Sequence, residues 1–269
     1  MARDPFPDVL ADLAAEHADL DAIVAGVDNA GWVLPTPSPG WSVGDQIGHL
    51  AFFDARAREA LADPGEFAAS VAAMRTDGEF AAWLDAHLTG TRALTRSELL
   101  EWWRAERAAL LALLATADAS ERVPWYGPPM GMVSFASARL METWAHGQDV
   151  ADALGVTRLP TGRLRHVAHL GVRALPWSFT VNGLAVPDDD IRIELRSPDR
   201  ELWVWGPDDA PNLVRGNALD FCLVVTQRRH PDDVRLDVSG PVAGTWIAIA
   251  QAFAGPPGAG REAGQFREG

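Results

Sequence analysis

The sequence contains no lysine and a single cysteine, Cys222. All 23 basic residues are therefore arginine. The absence of lysine excludes Schiff-base chemistry, a Walker-type phosphate lysine and a lysine general base. One cysteine cannot form an internal disulfide or supply a cysteine-based zinc cluster, so any metal would have to be held by His, Asp or Glu.

Positive charge and long hydrophobic runs are also scarce. The formal net charge is −14 at pH 7, so most of the surface would repel a phosphate backbone and we expect no nucleic-acid partner. The longest apolar run, ALLALLATA, is far shorter than the roughly 20 residues that span a bilayer. The acidic start, MARDPFPDVLADLAAEHADL, does not resemble a signal peptide. We expect a cytoplasmic protein with no membrane partner.

What is present is a hydrophobic fraction of 48% in 269 residues, enough for a sizeable core. Apolar residues recur at helical spacing through the first 155 residues or so. The pattern predicts helices over about 8–27, 43–61, 66–88 with an interruption near 76–78, and 97–117, and a fifth between Ser134 as N-cap and Gly155. Ser42 with Asp45, and Thr95 with Glu98, are capping boxes that begin two of them. We predict a four-helix bundle as the domain formed by residues 1–157.

The second half has a different pattern. A helix over about 162–175 precedes two alternating segments, IRIELRSP and ELWVWGP, which predict a β-hairpin. Asn217 begins another helix, VRLDVSG is a short strand, and TWIAIAQAFAG is a closing apolar helix. The fold class is therefore α plus α+β, with a small α+β domain over residues 158–256. The tail, 257–269, has no periodicity and is expected to be disordered.

Glu142 and His146 lie four residues apart on the fifth predicted helix. On a helical wheel they share an arc with Phe135 and Ala145, so they point toward the core. A carboxylate there needs compensation, by a metal or by an ion pair. The alternative to a metal is a pair of salt bridges along one helix, Arg139 with Glu142 and His146 with Asp149.

His49 lies on the second predicted helix, at the margin of its apolar stripe. An imidazole from a facing helix would complete a two-histidine, one-glutamate set, the ligand type of zinc sites that keep open positions. The same ligands suit ferrous iron or nickel. Asp45, four residues earlier, is a candidate to orient the His49 ring.

Two segments carry a resemblance to a known family. WSVGDQIGHL at 41–50 and ARLMETWAHGQDVADALG at 138–155 resemble the DinB-like metal-binding superfamily, and within it the actinobacterial mycothiol-dependent maleylpyruvate isomerase family. The resemblance implies a zinc ion held by His49, Glu142 and His146. It also implies mycothiol as co-substrate and an electrophilic small molecule as its partner, in an isomerase or S-transferase. The C-terminal half resembles a sterol-carrier-like domain.

Further residues are candidates for the pocket. Trp125 and Tyr126, in the loop before the ligand helix, are predicted to bind the thiol cofactor at the pocket lip. Arg228 and Arg229, at the end of a predicted C-terminal helix, are the candidate catalytic cations, because an anionic substrate here must be met by arginine. Cys222 is expected to be a buried helical cysteine.

The remaining histidines are assigned to the surface. His166 and His169 share an arc with arginines opposite the apolar side of their helix, so a solvated or interdomain face is expected. His17, His87 and His230 are expected to be ordinary surface histidines.

Two alternative functions remain open at this point. The second half could carry an apolar ligand such as a lipid while the bundle holds a structural metal, in a protein that is not an enzyme. The metal could instead activate water for hydrolysis, with Asp45 or Asp149 as the base.

Overall fold

The first of two structural units, Met1–Thr157, is built mainly from helices. The computed structural model describes residues 5–74 and 77–266. The elements of this unit are α1 (Phe6–Val24), α2 (Asn29–Trp32), α3 (Val43–Ala62), α4 (Pro64–Ala72), α5 (Asp77–Arg92), α6 (Arg96–Leu114), β1 (Arg122–Val123), β2 (Met130–Gly131) and α7 (Met132–Leu154). The helical class predicted for this half is confirmed.

Four long helices, α1, α3, α6 and α7, pack around one core. Both α3 and α1 contact α6 and α7. Buried side chains from all four helices form a cluster that includes Leu20, Ile47, Leu50, Leu99, Trp103 and Val150. Burial of these apolar side chains drives the packing, and it brings α3 alongside α7. This is the four-helix arrangement that the sequence predicts.

The predicted capping boxes both form. Ser42 accepts a hydrogen bond from the Asp45 backbone N–H, and the Asp45 carboxylate accepts one from the Ser42 N–H. Thr95 and Glu98 do the same at the start of α6. Gly155 lies at the C-terminal end of α7, the helix that carries Glu142 and His146. It adopts a left-handed conformation with φ 65°, which ends α7 as predicted.

Two helix predictions in this unit differ from the structure. The helix expected over 66–88 is two helices, α4 and α5, both packed against α3, and residues 75 and 76 at its expected interruption lie outside the described residues. Ser134 is not the N-cap of α7. Pairing of Arg122 with Gly131 in the β1–β2 ladder holds Gly131 extended, so the helix starts directly after it, at Met132.

The second unit, Arg158–Gly269, is a mixed sheet with helices. Its elements are α8 (Leu164–Arg173), α9 (Leu175–Val181), β3 (Ile191–Arg196), β4 (Leu202–Trp205), β5 (Asn212–Asn217), α10 (Ala218–Val225), a 3-10 turn (Pro231–Asp233), β6 (Leu236–Ser239) and α11 (Pro241–Ile249). The strand order is β4-β3-β5-β6, in which β3 and β5 are parallel and the other pairs antiparallel. The predicted α+β class and the β3–β4 hairpin are confirmed, and β5 is an addition.

The segment after residue 256 differs from the expected disorder. Gly258 N–H donates to the Gln251 side chain over 3.1 Å, and Gly264 N–H donates to Asp233 Oδ1 over 2.7 Å. These contacts hold residues 257–266 against their own unit, although the segment has no regular structure. Residues 267–269 lie outside the described residues. Within the described part of the chain, no helix combines the length and the hydrophobicity needed to cross a membrane.

Candidate metal centre

His49, Glu142 and His146 come together between α3 and α7. Their candidate ligand atoms all lie within 4.8 Å of one another. Glu142 Oε2 is 3.2 Å from His146 Nε2, and the centroids of the two imidazole rings are 4.4 Å apart. The Glu142 side chain is 23% exposed, so the set can be reached from outside the bundle core.

A hydrogen-bond chain determines which nitrogen of His146 carries its proton. The Thr36 hydroxyl donates to the Trp41 carbonyl over 2.9 Å, so its oxygen accepts from Gln46 Nε2, also over 2.9 Å. The Gln46 amide is thereby oriented with Oε1 toward His146 Nδ1, at 2.5 Å. Because a carbonyl oxygen only accepts, Nδ1 must be the donor.

The consequence is an electrostatic mismatch that a cation would resolve. With its proton on Nδ1, neutral His146 presents the Nε2 lone pair to a carboxylate oxygen 3.2 Å away. Two electron pairs facing each other at that distance require a proton or a metal ion between them. Two imidazoles and a carboxylate are the zinc ligand set that leaves positions open, and the orienting partner on the distal ring nitrogen is typical of metal histidines. These residues therefore fit a metal ion, with iron and nickel as further possibilities by ligand type.

Aromatic side chains flank the two histidines. The Trp41 ring lies 5.1 Å from His49 and 5.9 Å from His146, and it is nearly parallel to the latter with an interplanar angle of 20°. Phe53, one turn beyond His49 on α3, lies 4.6 Å from the His49 ring. These rings give the two histidines apolar neighbours, and electrostatic interactions are stronger in such surroundings than in water.

Trp125 and Tyr126, the residues predicted at the pocket lip, are separated from His49 by one side chain, that of Phe53. Trp125 and Tyr126 lie 6.3 Å and 5.9 Å from the Phe53 ring. Trp125 also stacks on Phe67 at 5.6 Å, with an interplanar angle of 6°. The Tyr126 hydroxyl accepts a hydrogen bond from Arg56 Nε over 2.8 Å, and burial raises the pKa of this phenol. Binding of a cofactor by these two residues stays a prediction.

Arg139 has a different partner from the one considered in the sequence. Its guanidinium donates to Asp54 Oδ1 from Nε and Nη2, over 3.1 and 2.9 Å, rather than to Glu142. The predicted alternative, a salt bridge between Arg139 and Glu142 along α7, is wrong because Arg139 faces the buried carboxylate of Asp54 on α3.

Asp149 and Asp45, the two aspartates considered in the sequence, are also engaged elsewhere. Asp149 accepts from the Ser38 hydroxyl over 3.0 Å. Asp45 belongs to the α3 capping box and accepts from Arg92 Nε over 2.8 Å. Burial would raise the pKa of Asp45, but the hydrogen bonds from Arg92 and Ser42 bring it below its usual value. Asp45 therefore serves the start of α3 rather than the His49 ring.

The predicted residues of the second unit lie near the end of α10. Arg228 is buried and donates to the Thr226 carbonyl over 2.6 Å, and the Arg229 guanidinium lies 3.7 Å from the centre of the Phe266 ring. Their catalytic role stays a prediction. Cys222 is fully buried in α10, and burial raises the pKa of its thiol far above its usual value. The expectation of a buried cysteine is confirmed, so the protein's own thiol is a poor nucleophile.

Sequence reasoning missed three buried polar side chains of this unit: His17, Gln46 and Asp54. His17 was expected at the surface, but it is 2% exposed, and burial is the main cause that lowers its pKa to about 4. The sequence contains a signal for the burial of two of these residues. His17 follows Leu13 by four residues and precedes Leu20 by three, and Asp54 follows Leu50 by four, so both fall on apolar stripes. His87 is likewise half-buried, with its ring stacked on Phe52.

The sequence of this chain is similar to a known family and to proteins of another organism. Residues 13–151 match the family model described as the mycothiol maleylpyruvate isomerase N-terminal domain. Proteins from two strains of Mycobacterium tuberculosis, each named only as an uncharacterized protein, are 48% identical over 258 residues, which is 96% of this chain and 99% of theirs.

Two solved structures are similar to this chain. A crystal structure of the mycothiol-dependent maleylpyruvate isomerase matches with a TM-score of 0.61 and 16% identity, over 88% of this chain and 93% of that one. A histidine-to-alanine mutant of that enzyme matches over the same shares with a TM-score of 0.60, also at 16% identity. At this identity the likeness shows the fold alone.

Proposed function

Because the chain belongs to the mycothiol maleylpyruvate isomerase family, we propose that it is a zinc-dependent enzyme that uses a low-molecular-weight thiol such as mycothiol. The thiol adds to an electrophilic small molecule, in an isomerase of the maleylpyruvate type or an S-transferase. His49, Glu142 and His146 hold the metal. The observation that carries the proposal is the approach of the His146 Nε2 lone pair to the Glu142 carboxylate at 3.2 Å.

A zinc ion on these three ligands would keep coordination positions open and would lower the pKa of a thiol held there. Gln46 keeps the His146 ring in the orientation and tautomer that ligation requires. Trp41 and Phe53 keep the surroundings of the histidines apolar. Since the chain's own thiol is buried, the sulfur must come from a second small molecule.

The chemistry that this arrangement serves balances without an oxidant. The thiolate sulfur forms a bond to one carbon of a conjugated double bond, and the electron pair of that double bond moves onto the electron-withdrawing group. The former double bond can then rotate. Loss of the thiolate restores the double bond in the other geometry, which is isomerisation, whereas protonation of the adduct gives the product of a transferase.

The test combines metal content with thiol dependence. Wild type, His49→Ala and the matched control His230→Ala are purified without chelators, and their zinc is measured by mass spectrometry. Turnover of maleylpyruvate and of a panel of electrophiles is then followed with and without mycothiol. His230 suits the control because it caps a short turn of the second unit. We expect about one zinc per chain in wild type and control, and far less than one in His49→Ala, because a site with two remaining protein ligands does not retain the ion through purification.

The opposite outcomes identify the alternatives. A metal-free wild type would overturn the proposal, and metal-dependent turnover without thiol would indicate hydrolysis. Bound zinc with no turnover, together with an extractable lipid, would favour a binding protein. For that case the second unit has a cavity of about 510 Å³ whose lining includes Val224, Val238 and Ile247 beside Gln227 and Arg229.

A further inference from the structure

The two helices that carry the ligands run antiparallel and are joined on both sides of the metal centre. On one side Gln46 of α3 contacts His146 of α7. On the other side, further along α3 and earlier on α7, Asp54 pairs with Arg139. The Asp54–Arg139 pair differs from the first link because neither of its members is a ligand or contacts one in the interactions described above. It connects the two helices independently of the metal.

This ion pair is poorly explained as a source of stability. Asp54 is 0% and Arg139 is 3% exposed, so both charges are removed from water. Both hydrogen bonds from Arg139 go to Oδ1, while Oδ2 is buried and has no hydrogen-bond partner among the described residues. The nearest group to Oδ2 in an ion-pair geometry is His17 Nε2 at 3.8 Å, too far for a hydrogen bond. Replacement of such a pair by apolar residues is often neutral or stabilising.

An ion pair of this kind can fix the register of α3 relative to α7. A slip of one residue moves an α-helix by about 1.5 Å and turns its side chains by about 100°. Metal ligation tolerates errors of only about 0.2 Å in the distance to each ligand atom. Apolar contacts of Ile47 and Leu50 hold α3 in the core, but they are not directional. A buried guanidinium and carboxylate, in contrast, lose their hydrogen bonds when the helices shift.

We propose that Asp54 and Arg139 form a positioning pair, which holds α3 and α7 in the register that brings His49 to Glu142 and His146. The inference rests on the proposed metal site. Its effect is on the geometry and affinity of the site, with little contribution to the stability of the fold. Arg139, Glu142 and His146 all lie within the single helix α7, so the pair and two of the ligands share one continuous helical segment.

The test replaces the pair without leaving a buried charge. The double variant Asp54→Val with Arg139→Met removes both charges and changes the combined side-chain volume little. The matched control is Arg58→Met with Glu106→Gln, which removes a 2.7 Å ion pair that joins α3 to α6, a helix without a ligand. For each protein, urea unfolding of the metal-free form gives the stability. Competition with a chromophoric chelator gives the affinity for Co²⁺, and the visible spectrum of bound Co²⁺ reports its geometry.

The expected result separates register from stability. The double variant should unfold at the same urea concentration as wild type or a higher one, yet bind Co²⁺ at least about tenfold more weakly and with an altered visible spectrum. The control should keep its affinity within about twofold, because partly exposed pairs contribute little.

Three outcomes would overturn the inference. Wild-type Co²⁺ affinity and spectrum in the folded double variant would overturn it alone and leave the proposed function standing. A double variant that does not fold would show that the pair is a stability element. A wild type that binds no Co²⁺ would remove the metal site, and with it both proposals.

Discussion

His17 shows how burial can determine the charge of a single residue. It lies in the core next to Asp54 and edge-on to Trp103, and neither ring nitrogen makes a hydrogen bond among the described residues. Burial lowers its pKa from 6.5 to about 4, although the Asp54 charge acts in the opposite direction. The folded protein therefore keeps His17 neutral at pH values where the unfolded chain already binds a proton.

Stability should consequently fall on acidification between about pH 6.5 and pH 4. In that window the unfolded state binds more protons at this position, so the free energy of unfolding decreases as pH falls, and the loss is complete below the folded pKa. The difference between the pKa values of His17 in the unfolded and folded states corresponds to about 3 kcal/mol in the free energy of unfolding. Urea unfolding of wild type and of His17→Gln at pH 7.5, 5.5 and 4.0 measures it, and the variant should lose less stability over this range. Parallel curves for the two proteins would contradict the assignment.

The convergence of His49, Glu142 and His146 could be predicted from the sequence, whereas their neighbours could not. The spacing of Glu142 and His146 follows from helical geometry, which is local. The choice of Arg139 between Glu142 and Asp54 is not local, because Asp54 is 85 positions away and becomes available only when α3 packs on α7. Gln46 was missed for the same reason, since its contact with His146 spans 100 positions.

At the scale of elements, two capping boxes offer a matched comparison. Ser42 and Asp45 start α3, and Thr95 and Glu98 start α6 with the same hydrogen-bond pattern. Only α3 carries site residues in its first two turns, namely Gln46 and His49. Fraying of the two helix starts should therefore have different effects on the metal centre.

Ser42→Ala and Thr95→Ala should each lower the free energy of unfolding by about 1 kcal/mol, because each removes an N-cap. Ser42→Ala should in addition weaken Zn²⁺ binding several-fold, since a frayed first turn no longer holds Gln46 against His146. Urea unfolding and chelator competition on both variants provide the measurements. Equal losses of metal affinity in the two variants would exclude a specific role for the start of α3.

Elements were predictable where a signal lies within a few residues. The starts of α3 and α6 and the end of α7 each have a capping residue, and all three match the structure. The start of α7 and the strand β5 do not have such a signal. Gly131 is extended because β2 pairs with β1, and β5, NLVRGN, is a strand because it lies between β3 and β6. Pairing between distant segments is invisible to local periodicity.

At the scale of the whole molecule, the metal centre lies entirely within the first unit, Met1–Thr157, and joins two of its four long helices. The three proposed ligands come together only when α3 and α7 are packed, so metal binding at this site would be coupled to folding of this unit. A ligand that binds only the folded state stabilises it by about 2.7 kcal/mol at a free concentration of about 100 times Kd. For a unit of roughly 150 residues, this corresponds to an increase of about 5 to 10 °C in Tm.

Metal removal should therefore lower the Tm of one calorimetric transition by about that amount. Scans of zinc-loaded wild type, chelator-treated wild type and His49→Ala measure the shift, and the last two should unfold at similar temperatures with or without added zinc. Re-addition of zinc after the chelator is removed should restore the higher Tm in wild type alone, because only the complete ligand set gains from the ion. If chelator-treated wild type keeps the Tm of the zinc-loaded protein, then the three side chains do not couple metal binding to the fold. If His49→Ala responds to zinc as wild type does, the ion is bound elsewhere.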